Sequence, residues 1–414
     1  MFAGVHRSRH LAKHLPAVGW NPIVLCVDEV HHSERLDPSL DALVPDTLEV
    51  IKVPALAARL TRKLGVGDIS LRAWWPLRQS LVRLLSTRRV DAILITGAPY
   101  YSMLLAPQIK RQFGIPVVLD FQDPWVSQWG AAQPAFSKAG LSHRFATLAE
   151  PYALRGAAFV TGISDNQNNE MAERYPWFDR SRMAAIPIGG DPEDFVAARA
   201  KTLDNYKFDE SRINLSYVGA FWPRAEGPFR ALMRAFAVLR ARSPNIAARI
   251  QLNFFGTSNY PNDISTYRVR PLAEAEGVAD AVREVPGRLA YLEALGVLAR
   301  SQGILLIGSD EPHYSASKIY PALMSGRPYL SLYHEASSAN HVLSAAGGGR
   351  VITFQSEIEL SKLEGTLAEG LLTLAYSSQL LGTVNPSAYA PFEAKNISKK
   401  YGEIFDRLAT EHSR

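Results

Sequence analysis

Short apolar runs alternate with longer amphipathic stretches along almost the whole chain, and this alternation constrains the fold more than any other feature. In the first half the apolar runs span residues 22–27, 48–53, 92–96, 116–121, 157–162 and 183–188. They are rich in β-branched and aliphatic residues and end at turn residues, which is typical of strands covered on both faces of a parallel sheet. Helical patterns separate them, at 7–18, 71–86, 101–113 and 142–155. The first half therefore predicts an α/β fold.

The same alternation restarts after a polar stretch, 191–205, which we interpret as a linker. Strand patterns follow at 213–219, 249–255, 282–285, 303–307, 329–333 and 351–353, and helical patterns at 227–242, 289–300, 317–324 and 340–346. A chain of 414 residues is too long for one ordinary hydrophobic core. We therefore predict two α/β domains, 1–195 and 206–385, facing each other across a cleft suited to a ligand, with residues 386–414 packing back toward the first domain.

Both ends of the chain carry informative patterns. The first helical pattern starts almost at residue 1, whereas a doubly wound α/β domain normally opens with a strand that leads into this helix. We therefore expect the first strand of the N-terminal domain to be missing, as in a chain shortened relative to its relatives or read from a late start codon. At the other end, residues 389–408 form a helical pattern whose apolar stripe should be buried; it comprises Phe392, Ile397, Tyr401, Ile404 and Phe405.

Composition excludes several protein classes. The hydrophobic share of 47% is ordinary for a globular protein, and no run approaches the roughly 20 apolar residues of a membrane-spanning helix. Basic residues interrupt the N-terminus too early for a signal peptide. The single cysteine, Cys26, excludes an internal disulfide framework and a cysteine-based zinc site. We therefore expect a cytoplasmic protein.

Positive charge concentrates between residues 52 and 89. This stretch holds nine Lys and Arg residues against one acid, Asp68, and includes Trp74 and Trp75. Basic residues mixed with aromatic residues dock on anionic membrane surfaces, and a solvated helix face is the alternative interpretation. No motif accompanies the stretch that would favour nucleic acid as a partner.

Polar residues follow several predicted strands, at the sheet edge where open parallel sheets bind ligands. Asp123 comes directly after the strand at 116–121 and precedes Pro124. A carboxylate in a partly closed cleft acts as a base or orients a hydroxyl group, so Asp123 is the candidate catalytic residue. A turn residue that bonds its own backbone is the alternative.

Three residues of the second half are candidates for phosphate binding. Gly219 ends the strand at 213–219, and Arg224 precedes the next helix. Glycine lets the backbone approach an anion, and arginine bonds phosphate through two parallel hydrogen bonds. Lys318 lies in the first turn of the helical pattern at 317–324, where a cation is unfavourable unless an anion offsets it. A solvent-exposed side chain is the alternative for Lys318.

Further candidates lie at the same predicted edge and in the first loop. The candidates at this edge for binding a ligand are Glu311, His313, Ser317 and Glu335, which we call the donor-side candidates. Glu335 is able to accept hydrogen bonds from sugar hydroxyls, and Ser315 or Ser317 to cap the following helix. On the acceptor side, His6 and Arg7 fall in the predicted loop that enters the first helix, where Arg7 would neutralise phosphate or contact an acceptor. A simply basic helix face is the alternative there.

Missing motifs narrow the chemistry. The sequence has no Asp-x-Asp run after a strand, no Walker loop, no His-Glu-x-x-His pair and no Gly-x-Ser-x-Gly elbow. It also lacks Gly-x-Gly-x-x-Gly after a strand. We therefore expect neither a metal nor a bound cofactor.

In their order along the chain, several motifs resemble those of bacterial family 4-like glycosyltransferases of the GT-B fold. Residues 4–20 resemble the family's first loop and helix, 119–125 its Asp-x-Arg-Asp-x-Trp segment with Gln122 in place of arginine, and 188–195 the end of its first domain. Residues 217–219 resemble the opening of its second domain. Residues 318–328 resemble its Lys-x-x-Glu-Tyr-Leu-Ala-x-Gly-x-Pro motif. The resemblance spans essentially the whole chain and implies two Rossmann-like domains.

The resemblance also implies a function. It implies metal-free transfer of a sugar from a nucleotide-sugar, with retention of configuration and with Arg224 and Lys318 on the phosphates. The chain departs from the family at Pro321, where relatives carry the glutamate that holds the nucleotide ribose, and at His313, the second acidic position. Ribose and sugar recognition must therefore differ here or be lost, and Glu311 and Glu335 are nearby carboxylates that would substitute.

We therefore expect a glycosyltransferase that moves a sugar from a nucleotide-sugar, its substrate, to a glycan or lipid-linked acceptor in polysaccharide biosynthesis. The basic stretch at 52–89 would then meet the membrane surface. A GT-B sugar epimerase or phosphorylase is one alternative. A catalytically inactive sugar-nucleotide-binding or assembly protein is the other, and Pro321 and His313 favour it.

Overall fold

The computed structural model describes residues 3–33, 36–201, 203, 206–258, 260, 263–311 and 317–412. It divides into two compact units, the first comprising 1–36, 44–188 and 394–414 and the second 37–43 and 189–393. Both units are α/β with parallel sheets, which confirms the predicted fold class. The first unit ends at 188 rather than 195, and the C-terminal segment joins it from 394 rather than 386.

The first unit holds six strands among its described residues, and their register is parallel throughout. The strands are β1 (Ile23–Val27), β2 (Glu49–Val53), β3 (Ile93–Gly97), β4 (Val117–Phe121), β5 (Phe159–Gly162) and β6 (Met183–Ala185). The helices are α1 (Ala3–His14), α2 (Ala58–Thr61), α3 (Ile69–Arg72), α4 (Trp74–Thr87), α5 (Ala106–Phe113), α6 (Gln128–Ala131), α7 (Lys138–Leu154), α8 (Asp165–Arg174) and, from the C-terminus, α19 (Ala394–His412).

Strand β4 is buried along its whole length, as its apolar sequence predicts. Val117, Leu119 and Phe121 point into one hydrophobic cluster, and Val118 points into the other. Because side chains alternate along a strand, this division shows that helices cover both faces of the sheet. The covered sheet then presents its strand ends, and the polar residues that follow them, at one edge.

The sheet of the first unit is interrupted between β1 and β3. Within the described residues, strands β3, β4, β5 and β6 form one sheet in that order, while β1 pairs only with β2. Leu25 of β1 and Ile95 of β3 nevertheless pack against the same hydrophobic cluster. Every residue of β1 is half-buried. The expected first strand is thus not among the described residues, in which α1 is the first element.

Helix α19 packs within the first unit, and its predicted apolar stripe is largely confirmed. Ile397, Tyr401 and Phe405 are buried in a cluster that also contains Leu11 of α1. Phe392 precedes the helix and belongs to the second unit, where its ring lies 4.7 Å from that of Tyr320.

The second unit is built on a six-stranded parallel sheet in its described residues, with the strand order β12-β11-β10-β7-β8-β9. Its strands are β7 (Ile213–Val218), β8 (Ile250–Phe255), β9 (Val282–Val285), β10 (Gly303–Ile307), β11 (Tyr329–His334) and β12 (Gly349–Phe354). Its helices are α9 (Asp194–Ala200), α10 (Glu226–Arg242), α11 (Pro244–Ala247), α12 (Arg270–Ala275), α13 (Tyr291–Arg300), α14 (Ile319–Met324), α15 (Ser338–Ala346), α16 (Glu357–Lys362), α17 (Glu364–Tyr376) and α18 (Pro386–Tyr389).

The predicted linker at 191–205 is partly wrong, because residues 194–200 form α9. Phe195 and Ala198 of this helix are buried against Leu292 and Leu295 of α13. Two well-placed apolar residues are enough to fix one face of a two-turn helix against a neighbour, although the surrounding sequence is polar.

Candidate functional site

The carboxyl edge of the second sheet gathers most of the predicted donor-side residues. Strands β11, β10 and β7 are neighbours in the sheet, and Glu335, Asp310 and Gly219 follow their respective ends. Since parallel strands end at the same edge, the topology brings together segments that lie far apart in the sequence. This edge is the candidate functional site of the second unit.

Lys318 lies over the end of β7. Its Nζ atom donates a hydrogen bond to the Tyr217 hydroxyl at 2.5 Å and lies 4.6 Å from the centroid of the Tyr217 ring. The hydroxyl in turn donates to the carbonyl oxygen of Ala220 at 2.9 Å. A neutral hydroxyl and a ring face therefore hold the amine in place and carry no negative charge to offset it.

Burial shifts the protonation of Lys318. Desolvation of the ammonium group lowers its pKa to about 7. Among the residues that the structure describes, no carboxylate forms an ion pair with Lys318. A bound phosphate would supply the missing negative charge and restore the protonated form.

Gly219 provides the space that Lys318 occupies. Its φ angle is +148°, and a Cβ atom built on it would lie 2.7 Å from both Cε and Nζ of Lys318. A larger residue would therefore push the lysine away from the strand end. The glycine predicted for anion approach is thus also required for the position of the cation.

A small cavity of about 120 Å³ lies beside Lys318, within the second unit. Its lining includes Ile307, Pro321 and Tyr333, and among the described residues that line it Lys318 is the one with a charge. The cavity is smaller than the roughly 300 Å³ and more that ligand pockets usually have. The apolar side chains that line the cavity contribute to the desolvation of Lys318. A nucleotide would have to bind outside the cavity.

Arg224 is already paired with two carboxylates at this edge. Its Nε atom lies 2.7 Å from Asp310 and its Nη1 atom 3.1 Å from Glu311. The hydrogen bond to Asp310 raises the pKa of Arg224. The side chain is more than half exposed, so these pairs contribute little to stability and are exchangeable for another anion. The phosphate role of Arg224 and the ribose role of Glu311 stay predictions, and both require this pairing to open.

The structure describes two of the other donor-side candidates, Glu335 and Ser317, and both are exposed. Glu335 is exposed and accepts a hydrogen bond from Gln355 at 2.7 Å. Ser317 is exposed as well, and the prediction that it caps the helix is wrong, because Lys318 is the N-cap of α14 and its side chain makes no capping bond. His313 and Ser315 lie outside the described residues.

In the first unit, Asp123 follows the end of β4, and its backbone adjoins an aromatic cluster. The Tyr100 hydroxyl donates to the backbone carbonyl of Asp123 at 2.8 Å, and the Tyr100 ring stacks on Trp125 at 5.3 Å. Partial burial raises the pKa of the Asp123 carboxyl. The catalytic role of Asp123, which is to orient or deprotonate a hydroxyl group, stays a prediction.

The predicted placement of His6 and Arg7 in a loop is wrong, because α1 already begins at Ala3. Arg7 is only 1% exposed, and its Nε atom lies 3.3 Å from Asp120. Its remaining donors bond the carbonyl oxygens of residues 186 and 187. A guanidinium enclosed in this way is unable to meet an acceptor, so the acceptor role of Arg7 is corrected to a structural one. His6 is half-buried, with its ring 6.1 Å from His10.

The buried network around Arg7 was not identified in the sequence. Asp120 accepts hydrogen bonds from Thr161 at 2.8 Å and from Tyr401 of α19 at 2.9 Å. The sequence signal was an aspartate inside an otherwise apolar strand, which needs buried partners. Tyr217 was missed for the opposite reason, since a tyrosine in a strand is unremarkable by itself.

The described residues form neither a metal centre of acidic, histidine or cysteine side chains nor a membrane-spanning helix. They contain no group of three or more His, Cys, Asp or Glu residues arranged to hold a metal ion. They also contain no helix long and apolar enough to cross a membrane.

Known proteins share parts of this architecture. Residues 3–189 match the family model described as a glycosyl transferase 4-like domain. No curated protein matches the chain. A glycosyltransferase from Rickettsia africae is 14% identical over 98% of this chain and 95% of its own, with a TM-score of 0.61. Anabaena HepE, solved with UDP and glucose, is 14% identical over 98% and 96%, with a TM-score of 0.57.

A trehalose-phosphate synthase from Burkholderia vietnamiensis, described as UDP-forming, is 13% identical over 82% of this chain and 77% of its own, with a TM-score of 0.54. At such identities these structures show the shared fold, and the family model adds the sequence relationship of the first unit. Residues 3–189 thus match a glycosyl transferase 4-like domain, and the chain as a whole shares the fold of the GT-B glycosyltransferases.

Proposed function

We propose that the protein transfers a sugar from a UDP-sugar to a glycan or lipid-linked acceptor in polysaccharide biosynthesis, without a metal ion and with retention of configuration. The observation that carries the proposal is the partly buried, desolvated Lys318 at the carboxyl edge of the second sheet, with the Gly219 backbone beneath it and no carboxylate partner among the described residues. UDP is the nucleotide in the HepE complexes with UDP and UDP-glucose.

The reaction assigns a task to each unit. In the transfer, the bond between the anomeric carbon and the diphosphate oxygen breaks, and a bond to the acceptor oxygen forms on the same face of the sugar. The products are UDP, the glycoside and the proton of the acceptor hydroxyl. Protonated Lys318 stabilises the charge that develops on the departing diphosphate. Asp123 orients the acceptor hydroxyl and lowers the barrier to loss of its proton.

Nucleotide binding is the first test, measured by isothermal titration of UDP and UDP-glucose into the wild-type protein and Lys318→Met. Loss of a charge-assisted hydrogen bond should weaken binding by about tenfold or more. Lys362→Met, which removes an exposed lysine from α16, is the matched control and should bind as wild type. Absence of UDP and UDP-glucose binding to the wild type would refute the proposal.

Turnover is the second test, measured as UDP released from UDP-glucose by slow hydrolysis. Asp123→Asn should bind UDP normally, because Asp123 belongs to the other unit, and should lose most of the turnover. Asp165→Asn is the control for an exposed aspartate of the first unit. An Asp123→Asn variant as active as the control would remove Asp123 from the mechanism.

A second candidate, binding of a sugar-nucleotide without turnover, is favoured by one observation. Helix α14 carries Pro321 where relatives have the ribose-binding glutamate, and the six residues of this helix include no acid. Glu311, one predicted substitute, is held by Arg224. Tight binding of UDP-glucose with no UDP release under any condition would support this candidate over the transferase.

A further inference from the structure

Helix α7 exposes a stripe of large apolar side chains. Leu141, Phe145, Leu148 and Tyr152 are 42%, 63%, 74% and 46% exposed. Their spacings of four, three and four residues place them within an arc of about 60° on an α-helix. An exposed stripe on one face is distinct from apolar residues scattered singly over a surface.

The stripe is not the face by which α7 packs on its own unit. Ala146, Glu150, Ala153 and Leu154 on the other side of the helix are buried. The core-facing side is therefore complete without the stripe. The exposed side chains thus need another explanation than the stability of the first unit.

Aromatic residues just before α7 extend the apolar surface. Phe136 is 87% exposed and Trp129 of α6 is 69% exposed. The guanidinium of Arg144 lies 5.6 Å from the centre of the Phe136 ring, which places Phe136 beside the stripe. We call the surface formed by Phe136, Leu141, Phe145, Leu148 and Tyr152 the α7 face.

The charged side chains that are exposed between residues 128 and 155 have one sign. Lys138, Arg144 and Arg155 are exposed beside the stripe. The only acid between residues 128 and 155 is Glu150, which is fully buried and paired with Arg174 at 3.2 Å. The segment 128–155 therefore offers apolar side chains and positive charge without an exposed carboxylate of its own.

The basic stretch at 52–89 looks different in the structure. Lys52 and Arg88 pair with Glu29 and Glu49, which lie outside the stretch in sequence. Arg72 is buried and bonds backbone carbonyl oxygens. These three of the nine basic side chains there are thus paired or enclosed, and the stretch carries a weaker attraction for an anionic surface than its sequence suggests.

We infer that the α7 face docks the first unit on an anionic lipid bilayer. Phe and Leu side chains enter the interface between headgroups and acyl chains, while flanking Lys and Arg side chains reach the phosphates. Charge complementarity selects this occupant over a second copy of the chain. In a two-fold symmetric pair the same surface faces itself, so the cations of one copy would oppose those of the other.

The inference goes beyond the proposed transfer reaction and does not depend on it. Vesicle binding is measured without nucleotide, and UDP binding is measured without vesicles. Failure of one leaves the other unaffected.

The experiment is flotation of the full chain with vesicles of phosphatidylcholine alone or with added phosphatidylglycerol. The wild type should float with the anionic vesicles, less at high salt, and only weakly with neutral ones. The double variant Phe145→Ser/Leu148→Ser should bind them about tenfold less or weaker still, because two apolar side chains no longer enter the bilayer. Since both side chains are exposed, the variant should fold normally and bind UDP as the wild type does.

Two control variants locate the surface. Ile358→Ser/Leu380→Ser removes apolar side chains that are 75% and 77% exposed on the second unit, and should leave vesicle binding unchanged. Arg59→Glu/Arg62→Glu reverses two exposed charges of the 52–89 stretch and should reduce binding far less than Lys138→Glu/Arg144→Glu. Loss of binding in the Arg59/Arg62 variant alone would move the membrane contact away from α7.

Other results would overturn the inference outright. Equal flotation of the wild type and the Phe145/Leu148 variant would show that the stripe does not enter the bilayer. Light scattering that shows a wild-type dimer, which the same variant converts to a monomer, would assign the α7 face to a second copy. Equal binding to neutral and anionic vesicles would refute the role of the flanking cations.

Discussion

Lys318 rests on Tyr217, with its amine hydrogen-bonded to the phenol and its charge above the ring. This pairing links α14 to the end of β7 across about a hundred residues of sequence. The partner is neutral, so the geometry fixes the position of the lysine without satisfying its charge. A lysine held in this way is prepared for an anion, and its protonation responds to pH near neutrality.

The pH dependence of the free energy of unfolding should reveal the desolvation of Lys318. Burial lowers the folded-state pKa of Lys318 to about 7 from an ordinary value of 10.5. Between these two values the unfolded chain holds a proton that the folded chain lacks, so stability should rise with pH, by at most about 1.4 kcal/mol per pH unit. Below about pH 7 both states are protonated and this contribution to the slope vanishes.

Lys318→Met is the variant that isolates this effect, because methionine keeps the approximate shape and carries no proton. Urea unfolding at a series of pH values from 7 to 10 should give a smaller rise for Lys318→Met than for the wild type. Lys362→Met should retain the wild-type slope, since this lysine is exposed. Identical slopes for all three proteins would mean that Lys318 is not desolvated.

Gly219→Ala should weaken UDP binding by displacing Lys318. The new Cβ atom would lie 2.7 Å from the lysine amine, and the backbone φ of +148° disfavours any side chain. Gly326→Ala is the control, since its φ is +70° but no atom lies within 4 Å of a Cβ atom there. Both variants should lose roughly 1 kcal/mol of stability or more from backbone strain, and only Gly219→Ala should also lose about tenfold or more in UDP affinity. Comparable affinities would contradict the role assigned to Gly219.

Asp120→Ala should destabilise the first unit strongly. It would leave the Arg7 charge buried without its carboxylate and remove the acceptor for Thr161 and Tyr401. A cost of about 3–5 kcal/mol is expected for a broken buried pair, against less than about 1 kcal/mol for Asp91→Ala, which breaks the exposed pair with Arg89. Tyr401→Phe should cost about 1–2 kcal/mol. Chemical denaturation followed by circular dichroism measures all three, and a mild effect of Asp120→Ala would show that Arg7 finds other partners.

Backbone amides should exchange faster in β1 than in β4. Residues of β1 are half-buried and pair with β2 alone, whereas β4 is fully buried between two neighbours. A strand with one bonded neighbour opens locally at lower free energy than a central one. Hydrogen exchange read by mass spectrometry on peptides covering 23–27 and 117–121 tests this, and equal protection of the two would be the contrary result.

Much of the fold followed from local patterns. The apolar runs at 116–121 and 303–307 became β4 and β10 within one residue, because fully buried parallel strands need continuous aliphatic sequence. Helix α9 escaped detection, since only Phe195 and Ala198 of a polar stretch carry its packing. The site residues were predicted because they follow strand ends. Strand ends are set by local sequence patterns, so they can be predicted from the sequence.

The contacts among those residues could not be predicted from the sequence. Arg7 and Lys318 are both basic residues at the start of a helical pattern, and the sequence offered a ligand role to both. Tertiary structure separated them, because Arg7 meets the Asp120 carboxylate in the core of its unit, while Lys318 meets the neutral Tyr217 side chain and a backbone carbonyl oxygen and no carboxylate among the described residues. The sequence by itself determined that the chain forms two α/β units with parallel sheets, and where their strands end, since hydrophobic periodicity is a local property of the sequence. Only the folded chain decided which charges are neutralised, because their partners are distant in sequence and electrostatics depends on distance and desolvation.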